Sequence, residues 1–316
     1  MNTPPLGAPR ALVVDGTNIL LRAHYARNRR GTTPGTGLAT AAGRDTSALY
    51  GAIQALAVQA RRYAPTHVVW TFDRGNSRSR RALHPGYKAA RGRPGQPVPH
   101  TDNLQTLLRL LGIPYLQRAG LEADDMMAAA ARELTAQGAH VALLTTDHDL
   151  HQLVSEQVTV IRPSIGPTKE HHFDPQTTEE RYGVPAAQLP ELWAMQGDPG
   201  DSIPGVPGVG PSTARKILAA HGTLWAALEA GEGKLADYEE DVRRNYRLIS
   251  LHDPPPIHLP LSECVFAPTY TRGVAAFLDY WEMHATARAM ESGALWGFPR
   301  EGDTVAPRTD RERVPV

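Results

Sequence analysis

The sequence predicts an α/β protein, in which a mostly parallel sheet flanked by helices is followed by a smaller helical domain. In the first half of the chain, short apolar runs alternate with segments of helical periodicity, the pattern of strands joined by crossover helices. From about residue 175 these runs give way to short helical segments that end at glycines. We therefore expect one layered domain over residues 1–175 and a helical domain over residues 176–298.

Each predicted element follows from local pattern. Apolar runs predict strands at 11–16, 66–73, 140–147 and 158–161. Apolar residues at helical spacing, with capping residues before and glycines after, predict helices at 47–63, 101–113, 122–138, 177–183, 187–197, 211–222 and 223–231. Residues 28–45 and 299–316 show neither pattern, so we predict a flexible loop and a disordered tail.

Composition excludes several classes of protein. Hydrophobic residues make up 41% and charged residues 21% of the chain, which is the balance of a globular protein. There is no apolar run near the roughly 18 residues of a membrane span, and the first ten residues do not resemble a secretory signal. The single cysteine, Cys264, excludes an internal disulfide and a CxxC zinc site. We expect a reduced, cytoplasmic compartment.

Charge is distributed unevenly, although the formal net charge is +0. The stretch between Asp73 and Asp102 has no acid and carries Arg74, Arg78, Arg80, Arg81, Lys88, Arg91 and Arg93. Glycines and prolines interrupt it, so residues 74–100 are predicted to form a basic loop or arch. A solvated surface loop is the simpler interpretation of a charge run. The complete lack of acids next to Asp73 favours a phosphate-binding segment.

Carboxylates follow the predicted strands and open two predicted elements. Asp15, Asp73 and Asp147 end strands, at the edge where open α/β sheets bind ligands. Close spacing adds further acids to this set: Asp149 beside Asp147, the group Glu122, Asp124 and Asp125 at a helix start, and Asp198 with Asp201. Each acid alone also fits a turn or a helix cap. Their coincidence favours a common site.

Nine carboxylates in one cleft remain ionised together only when cations neutralise them. Oxygen ligands favour Mg²⁺ or Mn²⁺, and two such ions are the usual apparatus for in-line displacement at phosphorus. The thirteen histidines show no ligand spacing, and Trp70 and Trp193 are predicted to be core residues. A phosphatase of the haloacid dehalogenase type is excluded, because Val13 stands where its motif requires an acid.

At this point the chain resembles a known family. The segments VVDGTNILLRA, VVWTFD, YKAARGRP, LEADDMMA, LLTTDHDLHQL and MQGDPGDSIPGVPGVGPSTARKIL occur in the order of the 5′ nuclease domain of bacterial DNA polymerase I, a member of the flap endonuclease superfamily. The resemblance covers roughly residues 10–295. It implies a free-standing, monomeric 5′-3′ exonuclease and 5′-flap endonuclease. The implied fold is a PIN-like catalytic domain, with its arch near 74–100, followed by a helix–three-turn–helix DNA-binding domain.

The resemblance also implies roles for individual residues. Asp15, Asp73, Glu122, Asp124 and Asp125 match one metal site, and Asp147, Asp149, Asp198 and Asp201 match the second. Lys88 and Arg80 match the cations that approach the scissile phosphate. The chain departs from the family at His148, where lysine is usual, at Ser202, where asparagine is usual, and at Pro199-Gly200. These departures remove no metal ligand but affect the surroundings of the second site.

Several residues are expected to contact DNA with flaps, nicks or free 5′ ends. Tyr87 is predicted to stack on an unpaired base, and the Gly-rich loop 205–218 to offer backbone amides to a phosphate. A plain connection between helices is the simpler interpretation of that loop. The resemblance suggests that it holds K⁺ through Val206, Val209 and Ser212. The full set expected to bind DNA is Arg22, Arg81, Tyr87, Arg91, Gly208, Gly210, Ser212, Thr213, Arg215 and Lys216.

Two rival functions share the same acids. An RNA-directed nuclease of the PIN class would not need the loop 205–218, and a non-catalytic protein that binds branched DNA would not need a complete acidic set. Both features are present, so we expect a DNA nuclease acting on bacterial nucleoid DNA. The sequence indicates neither protein partners nor the choice between Mg²⁺ and Mn²⁺.

Overall fold

The computed structural model describes residues 7–28, 39–75, 77–89, 98–163 and 170–297. Its main sheet has the strand order β3-β2-β1-β4-β5-β6, and all neighbouring strands are parallel except β6, which is antiparallel to β5. This confirms the predicted fold class. The strands are β1 Arg10–Asp15, β2 His67–Thr71, β3 Tyr115–Leu116, β4 His140–Leu144, β5 Val158–Arg162 and β6 His171–Phe173, and a separate ribbon pairs β7 Gly197–Asp198 with β8 Ile203–Pro204.

The helices of the first half flank this sheet, and those of the second half form most of the remaining chain. Within the described ranges the first six are α1 Gly16–Asn28, α2 Ser47–Tyr63, α3 Arg78–Leu83, α4 Thr101–Leu110, α5 Ala123–Ala136 and α6 Pro175–Tyr182. The next seven are α7 Leu189–Gln196, α8 Pro211–His221, α9 Leu224–Glu229, α10 Gly233–Asp237, α11 Glu239–Ile249, α12 Arg272–Tyr280 and α13 His284–Glu291. None of the described helices has the length and apolar character needed to cross a membrane.

Alternation along β1 divides the core into two layers, because successive side chains of a strand point to opposite faces. Leu12 and Val14 belong to the cluster that contains residues of α1, α2 and α4. Ala11 and Val13 belong to the cluster that contains residues of α5. Because β1, β2 and β4 run parallel, their carboxyl ends lie at one edge of the sheet. The residues that follow these strands are therefore found at this edge.

A third cluster holds the helical half together and contains residues of α7, α8, α9 and α11. Within it Asn245 is fully buried, and its side-chain amide donates to the carbonyls of Ala194 and Pro204 at 3.0 and 2.7 Å. The last two helices pack elsewhere. Val274 and Leu278 of α12 and Met290 of α13 belong to the cluster on the α2 side of the sheet, which the sequence did not anticipate. The division at residue 175 stays a prediction.

The basic segment 74–100 is more ordered than predicted. Residues 78–83 form α3, whose N-cap Ser77 accepts a hydrogen bond from the backbone N–H of Arg80, and residues 85–89 form turns. The prediction of a loop was therefore wrong for residues 78–83, whereas the predicted arch stays a prediction. Residues 90–97, including Arg91 and Arg93, lie outside the described residues, as do 29–38 of the predicted loop 28–45 and the predicted tail 299–316.

Candidate active site

Asp15 ends β1 and lies buried at the carboxyl edge of the sheet. Its carboxylate accepts hydrogen bonds from the backbone N–H of Asn18 at 2.9 Å and from the Thr145 hydroxyl at 2.8 Å. Burial, together with the negative charges of Asp73 and Asp147, raises the pKa of Asp15 to about 7, although these hydrogen bonds act in the opposite direction. The carboxylate is therefore held rigidly in a place that disfavours its charge.

Asp73 follows β2 at the carboxyl edge of the sheet, where it forms hydrogen bonds with the first turns of α1 and α5. Its carboxylate accepts a hydrogen bond from the backbone N–H of Ala123, the first residue of α5, at 2.6 Å. Its own backbone N–H donates to the Thr17 hydroxyl in α1 at 2.9 Å. Because a carboxylate also favours the positive end of a helix, this contact fixes the start of α5 beside β2.

The three acids at the start of α5 face two different environments. Glu122 and Asp125 form a reciprocal capping box, in which the backbone N–H of Glu122 donates to Asp125 at 3.0 Å. Asp124 lies between them. Its pKa is raised well above the ordinary value by burial and by the charges of Asp147 and Asp15. Asp124 is thus electrostatically part of the sheet-edge group.

Arg80 compensates the other two acids. Its guanidinium lies 2.8 Å from Glu122 Oε2 and 2.8 Å from Asp125 Oδ1, and its Nε donates to the carbonyl of Leu248 at 2.9 Å. Although burial opposes it, the positive charges of Lys88 and Arg80 hold the pKa of Glu122 below its usual range. Arg80 is itself buried. Its guanidinium therefore binds carboxylates, and its predicted approach to a phosphate stays a prediction.

Lys88 lies between the two groups of acids. Its Nζ is 2.9 Å from Glu122 Oε1 and 3.7 Å from Asp201 Oδ2. Its backbone has a φ of 55° in the left-handed region, and its backbone N–H donates to the Asp201 carbonyl at 2.9 Å. The chain around Lys88 is therefore tied to the loop that follows α7.

The stacking role predicted for Tyr87 does not fit its place in the fold. The ring is 4% exposed and belongs to the core of the helical half. Its hydroxyl donates to Glu122 Oε2 at 2.9 Å. This ring therefore supports an acid and is not available to an unpaired base.

The second group joins a loop of the sheet with a loop of the helical half. Asp147 and Asp149 follow β4, whereas Asp198 and Asp201 follow α7. Asp149, Asp198 and Asp201 each offer an oxygen within 4.8 Å of the others. Burial raises the pKa of Asp149 well above its ordinary value, and the charges of Asp147, Asp201 and Asp198 act in the same direction.

His148, which departs from the family pattern, lies beside two acids of the second group. Its Nε2 lies 3.4 Å from Asp149 Oδ1 and its Nδ1 lies 3.7 Å from Asp147 Oδ1. Together these three residues offer ligand atoms within 4.8 Å of one another. His148 therefore lies within ligand distance of two acids, although the histidines show no ligand spacing along the sequence. Neighbours in sequence converge here because the chain turns directly into a 3₁₀ helix at Asp149–Leu153.

One small cavity connects the two groups. Its volume is about 10 Å³, which is room for about one water molecule, and its walls include Arg80, Tyr87, Asp124, Asp149 and Asp201. Acids from the start of α5, from the turn after β4 and from the loop after α7 therefore face a common space, together with Arg80 and Tyr87 of the basic segment. Burial and the charges of neighbouring acids raise the pKa values of Asp15, Asp124 and Asp149. Divalent cations with a preference for oxygen ligands fit this donor set.

The Gly-rich loop lies exposed before α8. The backbone N–H of Val209 donates to the Val206 carbonyl at 2.9 Å, Gly208 has a φ of 85°, and Gly210 is the N-cap of α8. Gly208, Gly210, Ser212, Thr213 and Lys216 are exposed, whereas the Val206 and Val209 side chains are buried. An exposed helix start of this kind suits a phosphate.

Three other arginines were predicted to contact DNA, and each of them is at least partly buried by other parts of the protein. Arg215 lies against Gly183 and donates to the Tyr182 carbonyl at 3.4 Å. Arg22 donates to the carbonyl of Pro163 at 3.0 Å, and burial lowers its pKa. Arg81 is half-buried on α3. Trp70 and Trp193 are buried, as predicted.

Comparison with protein families matches almost the whole described chain. Residues 10–183 match the family described as 5′-3′ exonuclease, N-terminal resolvase-like domain. Residues 184–272 match the family described as 5′-3′ exonuclease, C-terminal SAM fold. Both matches agree with the resemblance drawn from the sequence.

Similar proteins include whole nucleases and parts of polymerases. The chain is 32% identical over 272 residues to flap endonuclease Xni of Aeromonas salmonicida, covering 82% of this chain and 97% of the relative. It is 31% identical over 245 residues to the 5′-3′ exonuclease of Aquifex aeolicus, covering 76% and 81%. It is 36% identical over 233 residues to DNA polymerase I of Mycobacterium tuberculosis, covering 72% of this chain and 25% of the polymerase. The chain thus spans about a quarter of such polymerases.

Solved structures share the fold at lower identity. T5 5′-exonuclease with bound zinc has a TM-score of 0.59 at 23% identity, covering 87% of this chain and 99% of that one. The catalytic core of Rad2 in complex with a DNA substrate has a TM-score of 0.54 at 15% identity, covering 90% and 93%. These likenesses concern the arrangement of the sheet and helices.

Proposed function

The chain belongs to the 5′-3′ exonuclease family, and from this premise we propose that it hydrolyses phosphodiester bonds of DNA at free 5′ ends, nicks and 5′ flaps. The observation that carries the proposal is the cavity in which acids from the sheet and from the helical half meet beside Lys88. The named relatives with this family's domains include an exonuclease and a flap endonuclease. The nuclease class follows from the family, and the substrate is our proposal.

The acids are proposed to form two groups, each of which binds one divalent cation. Asp15, Asp73 and Asp124 would hold one divalent cation, and Asp149, Asp198 and Asp201 the other, with Mg²⁺ and Mn²⁺ as the expected ions. When bound, two such cations would neutralise these carboxylates and polarise a phosphate placed between them. Asp147 lies electrostatically between the groups, because its charge raises the pKa of both Asp124 and Asp149.

The two cations of the basic segment have different proposed tasks. Lys88 lies between Glu122 and Asp201, with its Nζ near both carboxylates, so it is positioned to stabilise negative charge that builds on the phosphate during cleavage. Arg80 binds Glu122 and Asp125 from within the protein. We propose that it positions these acids instead of contacting the phosphate.

The DNA duplex would be bound at a distance from the reacting phosphate, through contacts that do not depend on the DNA sequence. The exposed start of α8, with Ser212, Thr213 and Lys216, is suited to the phosphates of a duplex. K⁺ is proposed to bind this loop through the carbonyls of Val206 and Val209. Binding through these groups would weaken as salt concentration rises.

Cleavage of matched substrates tests this function. Purified protein receives a 5′-flap DNA, a nicked duplex and an RNA of the same sequence, each with Mg²⁺ or Mn²⁺. Asp124→Asn and Asp149→Asn are expected to lose at least about 100-fold in rate, the typical cost of removing one charge-stabilising group. Asp279→Asn, an acid with 79% side-chain exposure far along the chain on α12, is the matched control. Preferential cleavage of RNA, or unchanged rates in both active-site variants, would refute the proposal.

A further inference from the structure

His148 occupies an unusual position between two site carboxylates. Its side chain is 51% exposed and faces both Asp147 and Asp149. The separation between Nε2 and Asp149 Oδ1 is 3.4 Å. Histidine nitrogen and carboxylate oxygen bind metals at about 2.0–2.2 Å, so two such ligands on one ion lie about 3.0–3.5 Å apart. The observed separation falls within this range.

Packing from the helical half fixes the imidazole in this place. The indole of Trp193 meets the His148 ring edge to face, with centroids 5.3 Å apart and planes at 83°. Trp193 is buried and lies on α7, and Asp198 of the same group follows the end of that helix. The side that bears the ring nitrogens remains towards Asp147 and Asp149.

Two more aromatic rings, those of Tyr182 and His151, extend the packing on the other side of Trp193. Tyr182 contacts the Trp193 ring with centroids 5.8 Å apart. Its hydroxyl lies 2.7 Å from Nδ1 of His151, a buried residue of the 3₁₀ helix that begins at Asp149. The loop that carries Asp147 and Asp149 is thus braced against α6 and α7 by a continuous set of aromatic contacts.

We propose that His148 is a nitrogen ligand beside Asp147 and Asp149 in the second metal group, and that it makes this group prefer Mn²⁺, Co²⁺ or Zn²⁺ over Mg²⁺. Mg²⁺ favours oxygen ligands and retains its water, whereas imidazole suits transition-metal ions. This inference rests on the proposed metal-dependent function. His148 would add a nitrogen ligand to a set of carboxylates, and this nitrogen would determine which metal ions the group prefers.

Metal binding to the full chain without DNA tests the proposal. Calorimetric titrations with Mn²⁺ and with Mg²⁺ compare the parent protein with His148→Ala. The expected result is a loss of at least about tenfold in Mn²⁺ affinity, as for altered metal ligation. Mg²⁺ affinity is expected to stay within about twofold, since Mg²⁺ gains little from imidazole. Pulsed EPR of the Mn²⁺-loaded protein should show nitrogen coupling that disappears in His148→Ala.

His284→Ala is the matched control, because His284 is 58% exposed and lies 3.7 Å from Asp279, a comparable pairing outside the site. It should change neither affinity nor the EPR spectrum. Equal losses of Mn²⁺ and Mg²⁺ affinity in His148→Ala, or nitrogen coupling that persists, would overturn the proposal. His148→Lys fills the same position with a side chain that has no imidazole, and it should abolish the nitrogen coupling as His148→Ala does. No outcome depends on cleavage, so failure here is distinguishable from failure of the nuclease function.

Discussion

Arg80 shows that the acids of the site are of two kinds. Glu122 and Asp125 are compensated within the protein by Arg80, and Glu122 also by Lys88. Asp15, Asp124 and Asp149 lack such close compensation, and burial raises their pKa values. The first kind sets the shape of the site, and the second kind creates its demand for added cations.

Replacing Arg80 with methionine should therefore destabilise the fold itself. The change keeps an apolar stem of similar length, but it leaves Asp125 without the cation that binds it and Glu122 with Lys88 alone. Removing one partner of a buried ion pair costs about 3–5 kcal/mol, and we expect a loss of unfolding free energy of that size in urea denaturation. Arg78→Ala, an exposed change on the same helix, should cost at most about 0.5 kcal/mol. Equal effects of the two variants would show that Arg80 does not support these acids.

The residues of the site differ in how readily their positions can be predicted from the sequence. Asp15, Asp73 and Asp147 were predictable because each directly follows an apolar run, and parallel strands bring such positions to one edge. Tyr87 was not predictable in the same way, because its burial depends on how the basic segment folds back after α3. The closeness of the His148 ring to Asp147 and Asp149 was not predicted, because it comes from a tight turn and not from a repeating spacing.

The β7–β8 ribbon is the element that places Asp198 and Asp201. Gly197 pairs with Pro204 and has a φ of 78°, a left-handed conformation that favours glycine. A Cβ on Gly205 would lie 2.2 Å from the Gln196 carbonyl oxygen and 2.7 Å from the backbone nitrogen of Gly197. The chain therefore approaches itself more closely here than any other residue type permits.

Gly205→Ala should separate the two sides of this ribbon and displace both acids. We expect a loss of stability of about 1–3 kcal/mol, the usual cost of overpacking, together with weaker binding of divalent ions. Thermal melting and calorimetric metal titration measure the two effects. Gly210→Ala is the control, because a Cβ there meets nothing within 4 Å and its φ is −90°. Unchanged melting of Gly205→Ala would contradict the proposed close approach.

Elements with a regular apolar face were easier to predict than those without one. The helix predicted at 47–63 has the bounds observed for α2, whose inner face carries Leu49, Ile53 and Leu56. α11 is mostly charged, and its sequence EEDVRRNYRLI did not stand out as a core helix. Its buried Asn245 is held by carbonyls of distant segments, a partnership that no local pattern reveals.

At the scale of the whole molecule, the end of the described chain returns to the first domain. The family match ends at residue 272, yet residues beyond it are buried in the cluster on the α2 side of the sheet. They are Val274, Leu278, Trp281, Met283, Met290, Leu295 and Trp296. The Arg61 guanidinium of α2 also donates to the Leu295 carbonyl at 2.5 Å. The sheet layer is therefore completed by helices far from it in sequence.

Removing residues 272–316 should for this reason unfold the sheet domain, although it leaves the candidate site residues intact. Burial of a large apolar side chain contributes about 1.5–3 kcal/mol, so these seven together contribute roughly 10 kcal/mol or more. That is comparable to the total stability of a typical domain, about 5–15 kcal/mol. We expect the shortened protein to be insoluble or to lose its cooperative melting transition, as measured by circular dichroism. A chain ending at Gly297 is the control for shortening, and it should keep the parent's transition because it retains α12 and α13. If the chain ending before residue 272 melted like the parent, the apolar contacts of α12 and α13 would not be part of the core that positions β1 and Asp15.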